Sequence, residues 1–338
     1  MSEVKKLGRT KKREGLEWWK VGLILVLAGA SAFGAMFSLT KLLNFTPPDE
    51  EAPVLTLRGE EEVEIWFGGA YEEPGAEAMD ERDGEVEVAI ETPEMDVWNE
   101  GEYEVWYRAV DAAGNEAKAS RRVRVVAPPA VPGAVYLTFD DGPSEHTARL
   151  LDILKKYKVQ ATFFVTGRGE DAMIKREYEE GHAVGLHTFS HNYAYIYQNR
   201  NAFWDDMLAI QNRVKEATGG YVSNLMRFPG GSSNTVSALY DGGTQIMSRL
   251  VGEAEARGFK YFDWNISSGD ASGNLTVEEV VANVTGRLGE GEWVVLQHDT
   301  MGFSVDAVEQ ILQFGKKNGY QFKRLEADSF GAWHWVRN

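Results

Sequence analysis

Val135-Tyr136-Leu137-Thr138-Phe139-Asp140-Asp141-Gly142-Pro143 decides how this chain is read. A short apolar run of strand character drives straight into two adjacent carboxylates and a Gly-Pro breaker. Outward from it, helical and strand patterns alternate. Thr147 to Tyr157 carries Leu150, Leu151, Ile153 and Leu154 at helical spacing, and Ala161 to Val165 reads as the next strand. A helix over Asp171 to Glu180, a strand over His182 to Leu186 and a helix over Phe203 to Ala217 come next. Leu225 to Phe228, Tyr261 to Asp263 and Trp293 to Gln297 read as further strands, and Gln321 to Leu325 as a candidate last one. Helices over Met247 to Arg257, Val277 to Leu288 and Asp306 to Lys317 lie between or after them. Repeated β/α units predict a parallel sheet, open or closed into a barrel, with its functional groups at the C-terminal ends of the strands. The expected fold class is α/β, a distorted (β/α) barrel.

The polar residues stand at those ends. Asp140-Asp141 ends the first strand, His187-Thr188-Phe189-Ser190-His191 the third, and Arg227-Phe228-Pro229-Gly230 the fourth. Asp263-Trp264-Asn265 ends the fifth and His298-Asp299 the sixth. One rim would gather a pair of carboxylates, three histidines and an arginine. His187 and His191 are four apart, so a helical turn would set both imidazoles on one side. A carboxylate from the first strand would complete a three-ligand N/O site with an open position, as in hydrolytic zinc sites. The second carboxylate is then free as general base, and His298 is the natural general acid. The chain has no cysteine, which excludes disulfides, thiolate nucleophiles and Cys-ligated metals.

Three of these segments resemble the polysaccharide deacetylases with a NodB-homology domain, carbohydrate esterase family 4. They are Thr138-Phe139-Asp140-Asp141-Gly142-Pro143, His187-Thr188-Phe189-Ser190-His191 and Leu296-Gln297-His298, in the family's order over about residues 133–326. The resemblance implies Asp140 as general base and Asp141, His187 and His191 as ligands of a divalent metal, with Zn²⁺ expected. It implies that Arg227 orients Asp140, that Asp263 orients and tunes the general acid His298, and that Trp264 lines the groove. The third motif departs from the common Arg-Pro-Pro-Tyr: Gly230 keeps the N–H that would bind the oxyanion but lacks the aromatic wall. The implied activity is removal of acetyl groups from glycans. His182 reads as structural, and His146 and His334 as outside the chemistry.

Upstream, the chain changes character twice. Net charge is -17 overall, split as +5 over residues 1–48, -16 over 49–126 and -6 over the remainder. That balance excludes a nucleic-acid partner, which needs a basic footprint. Residues 1–20 read as a basic cytoplasmic segment and 21–45 as a transmembrane helix, with no charge between Val21 and Leu39 and a Trp18-Trp19 pair at the membrane edge. A signal peptide cleaved at Ala30-Ser31-Ala32 is the rival reading. Either route places the rest of the chain outside the cytoplasm. Residues 46–52 form a linker, and 53–127 show short alternating runs: Glu60 to Phe67, Glu85 to Ile90, Glu102 to Val110 and Arg121 to Val126. They predict a small β-sandwich. Tyr71-Glu72-Glu73-Pro74-Gly75-Ala76 and Tyr107-Arg108-Ala109-Val110-Asp111-Ala112-Ala113-Gly114-Asn115 resemble bacterial Ig-like surface domains. A second linker, 128–133, leads into the deacetylase-like domain, 134–338.

The combined expectation is a membrane-anchored extracellular enzyme. Its partner would be a cell-wall glycan, with peptidoglycan N-acetylglucosamine as substrate. A deacetylase of chitin-like or other acetylated exopolysaccharides and a non-catalytic glycan-binding surface protein are the alternatives. A glycosidase built on paired carboxylates leaves the two-histidine motif unexplained.

Overall fold

The computed structural model describes residues 47–338. The expected transmembrane helix, 21–45, lies outside the described residues; among those described, no helix is long and apolar enough to cross a membrane.

Residues 54–126 form an all-β domain of two sheets. One has the order β1 (Val54–Leu57), β3 (Ala76–Asp80), β4 (Gly84–Val86). The other runs β2 (Glu62–Trp66), β7 (Glu116–Val126), β6 (Gly101–Val110), β5 (Val88–Glu91), with β2 and β7 parallel. The alternation seen in the sequence is the cause: Val105, Tyr107 and Ala109 are buried while their neighbours face out. The run Glu85 to Ile90, expected as one strand, splits at Glu87 into strands of different sheets. The Tyr71–Gly75 segment builds a half-buried polar knot. Glu73 accepts from Tyr71 Oη at 2.5 Å, Tyr107 Oη at 2.6 Å, the Gly75 N–H at 2.7 Å and Arg121 at 2.8 Å. Arg121 is fully buried, so these bonds and one to the Glu60 carbonyl at 2.8 Å satisfy a charge that would otherwise be costly. Asp49, just before the first strand, gathers with Asp80 and Asp83, but Asp80 is engaged by the Arg82 and Asp83 N–H groups, and Arg82 sits 3.7 Å from Asp49.

The larger domain alternates strands and helices: β8 (Gly133–Asp140), α1 (Thr147–Lys156), β9 (Thr162–Val165), α2 (Asp171–Glu179), β10 (Ala183–Leu186), α3 (Tyr193–Ile196), α4 (Arg200–Ala217) and β11 (Leu225–Met226). It continues with α5 (Ile246–Ala256), β12 (Lys260–Tyr261), β13 (Ile266–Ser267), α6 (Val277–Thr285), β14 (Gly291–His298) and α7 (Gly302–Lys317). The seven strands form one sheet, ordered β12-β11-β10-β9-β8-β14-β13, and every pairing is parallel. β9 and β10 are buried on both faces, which is why their residues are uniformly apolar or small rather than alternating. Helix starts are marked locally: Asn199 caps α4, and Thr276 with Glu279 forms a capping box on α6.

The sheet curls, and the chain shows why. β12 and β13 are its two outer strands, yet only residues 262–265 link them. That link reaches about 17 Å at full extension. The outer strands of a flat seven-stranded sheet would stand about 29 Å apart. The result is a curled parallel half-barrel without a ladder between β12 and β13. Gln321 to Leu325, read as a last strand, makes one bridge, Val135 to Phe322, and no strand.

Register then brings the rim together. Asp140 on β8 is the direct partner of His298 on β14, and Leu186 pairs with Met226, so His187 and Arg227 leave their strands side by side.

Candidate active site

Asp140, Asp141, His187, His191, Arg227 and His298 converge at the C-terminal rim. Asp141 Oδ1 lies 3.6 Å from His187 Nε2 and 3.2 Å from His191 Nε2, and one donor atom from each of the three lies within 4.8 Å of the others. The two imidazoles come together through a loop, not the helical turn expected from their spacing. Thr188 and His191 sit at φ 62° and 47°, and Asp141 at φ 75°. Three non-glycine residues in the left-handed region cost about 1–3 kcal/mol each, and such strain concentrates where a site fixes side-chain direction.

Two features prepare this triad for a cation. Asp141 Oδ1 is buried and has no hydrogen-bond partner among the described residues. His187 Nδ1 lies 2.8 Å from the Arg227 carbonyl, which fixes the proton there and turns the Nε2 lone pair inward. Burial, reinforced by the neighbouring His191, pulls His187 down to about 3, so its ring stays neutral and able to ligate. Two imidazoles and a carboxylate suit Zn²⁺ and several other divalent metals.

Asp140 is 3% exposed. Its Oδ1 accepts from Arg227 at 2.8 Å, while Oδ2 lies 3.6 Å from His187 Nε2. Burial raises its pKa in spite of the opposing arginine, leaving a more basic carboxylate. Arg227 is itself fully buried and held on every side: Thr138 Oγ1 at 2.7 Å, the Phe262 carbonyl at 3.0 Å and the Asp263 carbonyl at 2.9 Å, with its guanidinium 4.3 Å above the Phe164 ring. It is a rigid positioner for Asp140.

His298 is where the structure corrects the sequence reading. Asp263 does not touch it. The partner is Asp270, just past β13, whose Oδ1 lies 2.9 Å from His298 Nδ1. Asp270 Oδ2 accepts from the His298 N–H at 2.7 Å and from Ser304 Oγ at 2.6 Å. Burial alone would lower the His298 pKa, but the Asp270 bond and charge, with Asp140 and Asp141 behind them, push it up to about 9. Burial likewise opposes ionisation of Asp270, and the His298 contacts outweigh it to leave that carboxyl below its ordinary range. Asp263 instead ties loops together: Oδ1 accepts from the Ser232 N–H at 2.8 Å, and Oδ2 from Ser232 Oγ at 2.5 Å and the His334 N–H at 2.9 Å. Trp264 lies half-buried, 5.6 Å from the Arg227 guanidinium and edge-on to the His334 ring at 4.7 Å. Sequence reasoning misses Asp270 because β13 is two residues long and carries no strand signal; its place seven residues after the Asp263 turn is the available clue.

The remaining rim is made by Gly230 and Tyr193. Gly230 adopts φ 78°, and its N–H has no partner among the described residues, whereas the Gly231 N–H is taken by the Phe228 carbonyl at 2.7 Å. Below the site, Gly142 leaves room for the buried Asp299: a Cβ at 142 would meet its carboxylate at 2.3 Å. Burial pushes Asp299 up to about 7, and Thr147 Oγ1 donates to it. His182 lies at the opposite end of its strand, accepts the Ala161 N–H at 3.1 Å and packs on Phe163, a structural role.

A curled parallel sheet with this rim suits metal-assisted hydrolysis of an acyl group, and comparison with known proteins narrows the class. The family profile for polysaccharide deacetylases matches residues 128–242, and that for the Ig-like domain of bacterial surface proteins matches residues 55–125. A peptidoglycan-N-acetylglucosamine deacetylase of Bacillus cereus is 33% identical over 210 residues, covering 59% of this chain and 72% of the relative. A chitin deacetylase of Colletotrichum lindemuthianum is 29% identical, covering 63% of this chain and 88% of that protein. Among solved structures, the catalytic domain of a peptidoglycan N-acetylglucosamine deacetylase from Eubacterium rectale is 47% identical, with a TM-score of 0.58 over 63% of this chain and 98% of that one. The chain belongs to the polysaccharide deacetylase family, and it is an enzyme of that class.

Proposed function

We propose that the protein hydrolyses the N-acetyl group of N-acetylglucosamine in peptidoglycan, on the outer side of the cell membrane. The observation that carries the chemistry is the convergence of an unpaired buried Asp141 oxygen, two inward-facing imidazoles, an arginine-held carboxylate and a carboxylate-held imidazole on one rim. Similarity to the Bacillus and Eubacterium enzymes supports the substrate. The Ig-like domain and the basic-then-apolar N-terminal sequence support surface anchoring through a membrane helix.

Asp141, His187 and His191 would hold a divalent ion, with Zn²⁺ among those the donor set suits. Such an ion acidifies water and polarises a carbonyl. Asp140 Oδ2 takes the proton of the attacking water while Arg227 keeps Oδ1 in place. The Gly230 N–H donates to the acyl oxygen as charge builds there. His298, its Nδ1 engaged by Asp270, holds a proton at Nε2 and delivers it to the leaving nitrogen. The C–N bond breaks, and acetate and a free amine result. The raised values at both groups suit these roles: a more basic acceptor and an imidazolium that survives neutral pH.

The test is acetate release from N-acetylated peptidoglycan, with chelator and with zinc restored. Zinc-restored release, abolished in Asp140→Asn with metal still bound, is the expected result. Near-normal turnover in Asp140→Asn would overturn the assignment. Cell fractionation against a variant lacking residues 1–45 tests the anchor; equal membrane association of both would refute it.

A further inference from the structure

Position 230 carries no side chain, and the space a side chain would fill is taken from another segment. Tyr193 opens α3, two residues after His191. Its ring stands edge-on to His191 at 5.5 Å and edge-on to Tyr197 at 5.5 Å, which leaves it little freedom to rotate away. Its hydroxyl lies 2.8 Å from the point where a Cβ at 230 would sit. That hydroxyl makes no hydrogen bond to any described residue. The neighbouring hydroxyl of Tyr197, by contrast, donates to the Pro229 carbonyl at 2.7 Å. Two unsatisfied donors, Tyr193 Oη and the Gly230 N–H, therefore meet at one edge of the site. Gly230 is exposed and Tyr193 half-buried, so both donors face the open side of the site and can turn to an incoming group, and the group that arrives at this edge during hydrolysis is an oxygen gaining negative charge.

We propose that Tyr193 Oη donates a hydrogen bond to the acyl oxygen of the scissile acetamido group, beside the Gly230 N–H. This rests on the deacetylase reading of the same site. As water adds to the carbonyl carbon, the C=O π pair moves onto oxygen, and the hydroxyl bond strengthens with that charge. When the pair returns, the C–N bond breaks and nitrogen takes its proton from His298. Tyr193 keeps its own proton throughout, so its contribution is hydrogen bonding alone. Such a bond acts on the transition state more than on the bound substrate, so its loss lowers kcat and leaves KM nearly unchanged. Gly230 is then required twice: a side chain there would suffer at φ 78° and would displace the hydroxyl.

The experiment compares the full chain with its Tyr193→Phe and Gly230→Ala variants. Three readouts are taken: acetate release from an N-acetylglucosamine oligomer, bound zinc, and affinity for a methylphosphonamidate analogue of the acetamido group. The analogue is a tetrahedral anion. Tyr193→Phe keeps the ring and its packing. It is expected to bind a full equivalent of zinc, to keep KM within threefold and to lose about 10²-fold in kcat, with the analogue weakened by a similar factor. Gly230→Ala should show the same signature. A kcat within threefold of wild type in Tyr193→Phe overturns the proposal. So does a raised KM with unchanged kcat, which would make Tyr193 a wall for the sugar. Loss of zinc overturns it as well, because the residue would then be holding the ligand loop. A wild type that releases no acetate would sink the deacetylase reading itself, and this proposal with it; normal wild-type release with an unaffected Tyr193→Phe sinks this proposal alone.

Discussion

Replacing Asp270 by Asn tests the electrostatics of the acid more sharply than any other change. Asn keeps the size and can still accept from Ser304 and the His298 N–H, so the β13–β14 corner stays packed. The change removes the charge that, with its bond to Nδ1, holds His298 at about 9 against an ordinary 6.5. Without it, burial pulls the imidazole down, and the loss is at least the roughly 2.5 units separating those values. At pH 8 a group titrating near 9 is about 90% protonated, while one near 6.5 is about 3% protonated. Turnover that needs the imidazolium then falls about 30-fold at pH 8 and about fourfold at pH 7. The assay is the pH profile of kcat/KM for acetate release between pH 5 and pH 10. The alkaline limb should move to lower pH by about 2.5 units. A limb that stays within half a unit would refute either His298 as the acid or Asp270 as its anchor. The same shift has a stability signature. Because the folded pKa is raised, the stabilisation is full below pH 6.5 and lost as pH rises through about 9, and Asp270→Asn should flatten that decline in urea titrations.

Asp263→Ala should behave in the opposite way: it strands the Ser232 and His334 donors in a buried loop, costs about 2–3 kcal/mol by denaturant melts, and leaves the alkaline limb where it is. A moved limb would return Asp263 to the acid. Glu177 is fully buried with both carboxylate oxygens unpartnered, and burial, then the Asp299 charge, raises its pKa well above the ordinary value. Its folded state therefore loses stability as pH climbs above 4.5, and Glu177→Gln should be relatively more stable at pH 8 than at pH 5; an unchanged pH dependence would contradict that. His187→Ala should weaken zinc binding, measured by calorimetry, by more than the ~10–100-fold that loss of a supporting partner costs, while the fold persists.

Much of this site was legible because its residues come in tight local groups. Asp140-Asp141 and the His187/His191 pair are each short-range patterns at the ends of apolar runs, and those runs have to be strands because their residues are buried on both faces. Arg227 was readable for the same reason. The partner of His298 was not. Asp263 and Asp270 are both acidic, both near the rim and both on the same stretch of chain. Only the corner at residues 262–265, where the chain crosses from one outer strand to the other, turns the first toward Ser232 and the second toward His298.

Periodicity in the sequence points to the class of fold and to the alternation that builds the β domain, and close spacing groups Asp140 with Asp141 and His187 with His191. The expected roles of ligand, base and acid within that set came from the family resemblance. Tertiary structure alone decided which carboxylate serves which base, and that an unpaired tyrosine hydroxyl from the segment after His191 fills the space left by Gly230. Those are contacts between segments far apart in the chain. They are set by how a seven-stranded sheet must curl to let four residues join its outer strands, and no local pattern encodes that distance.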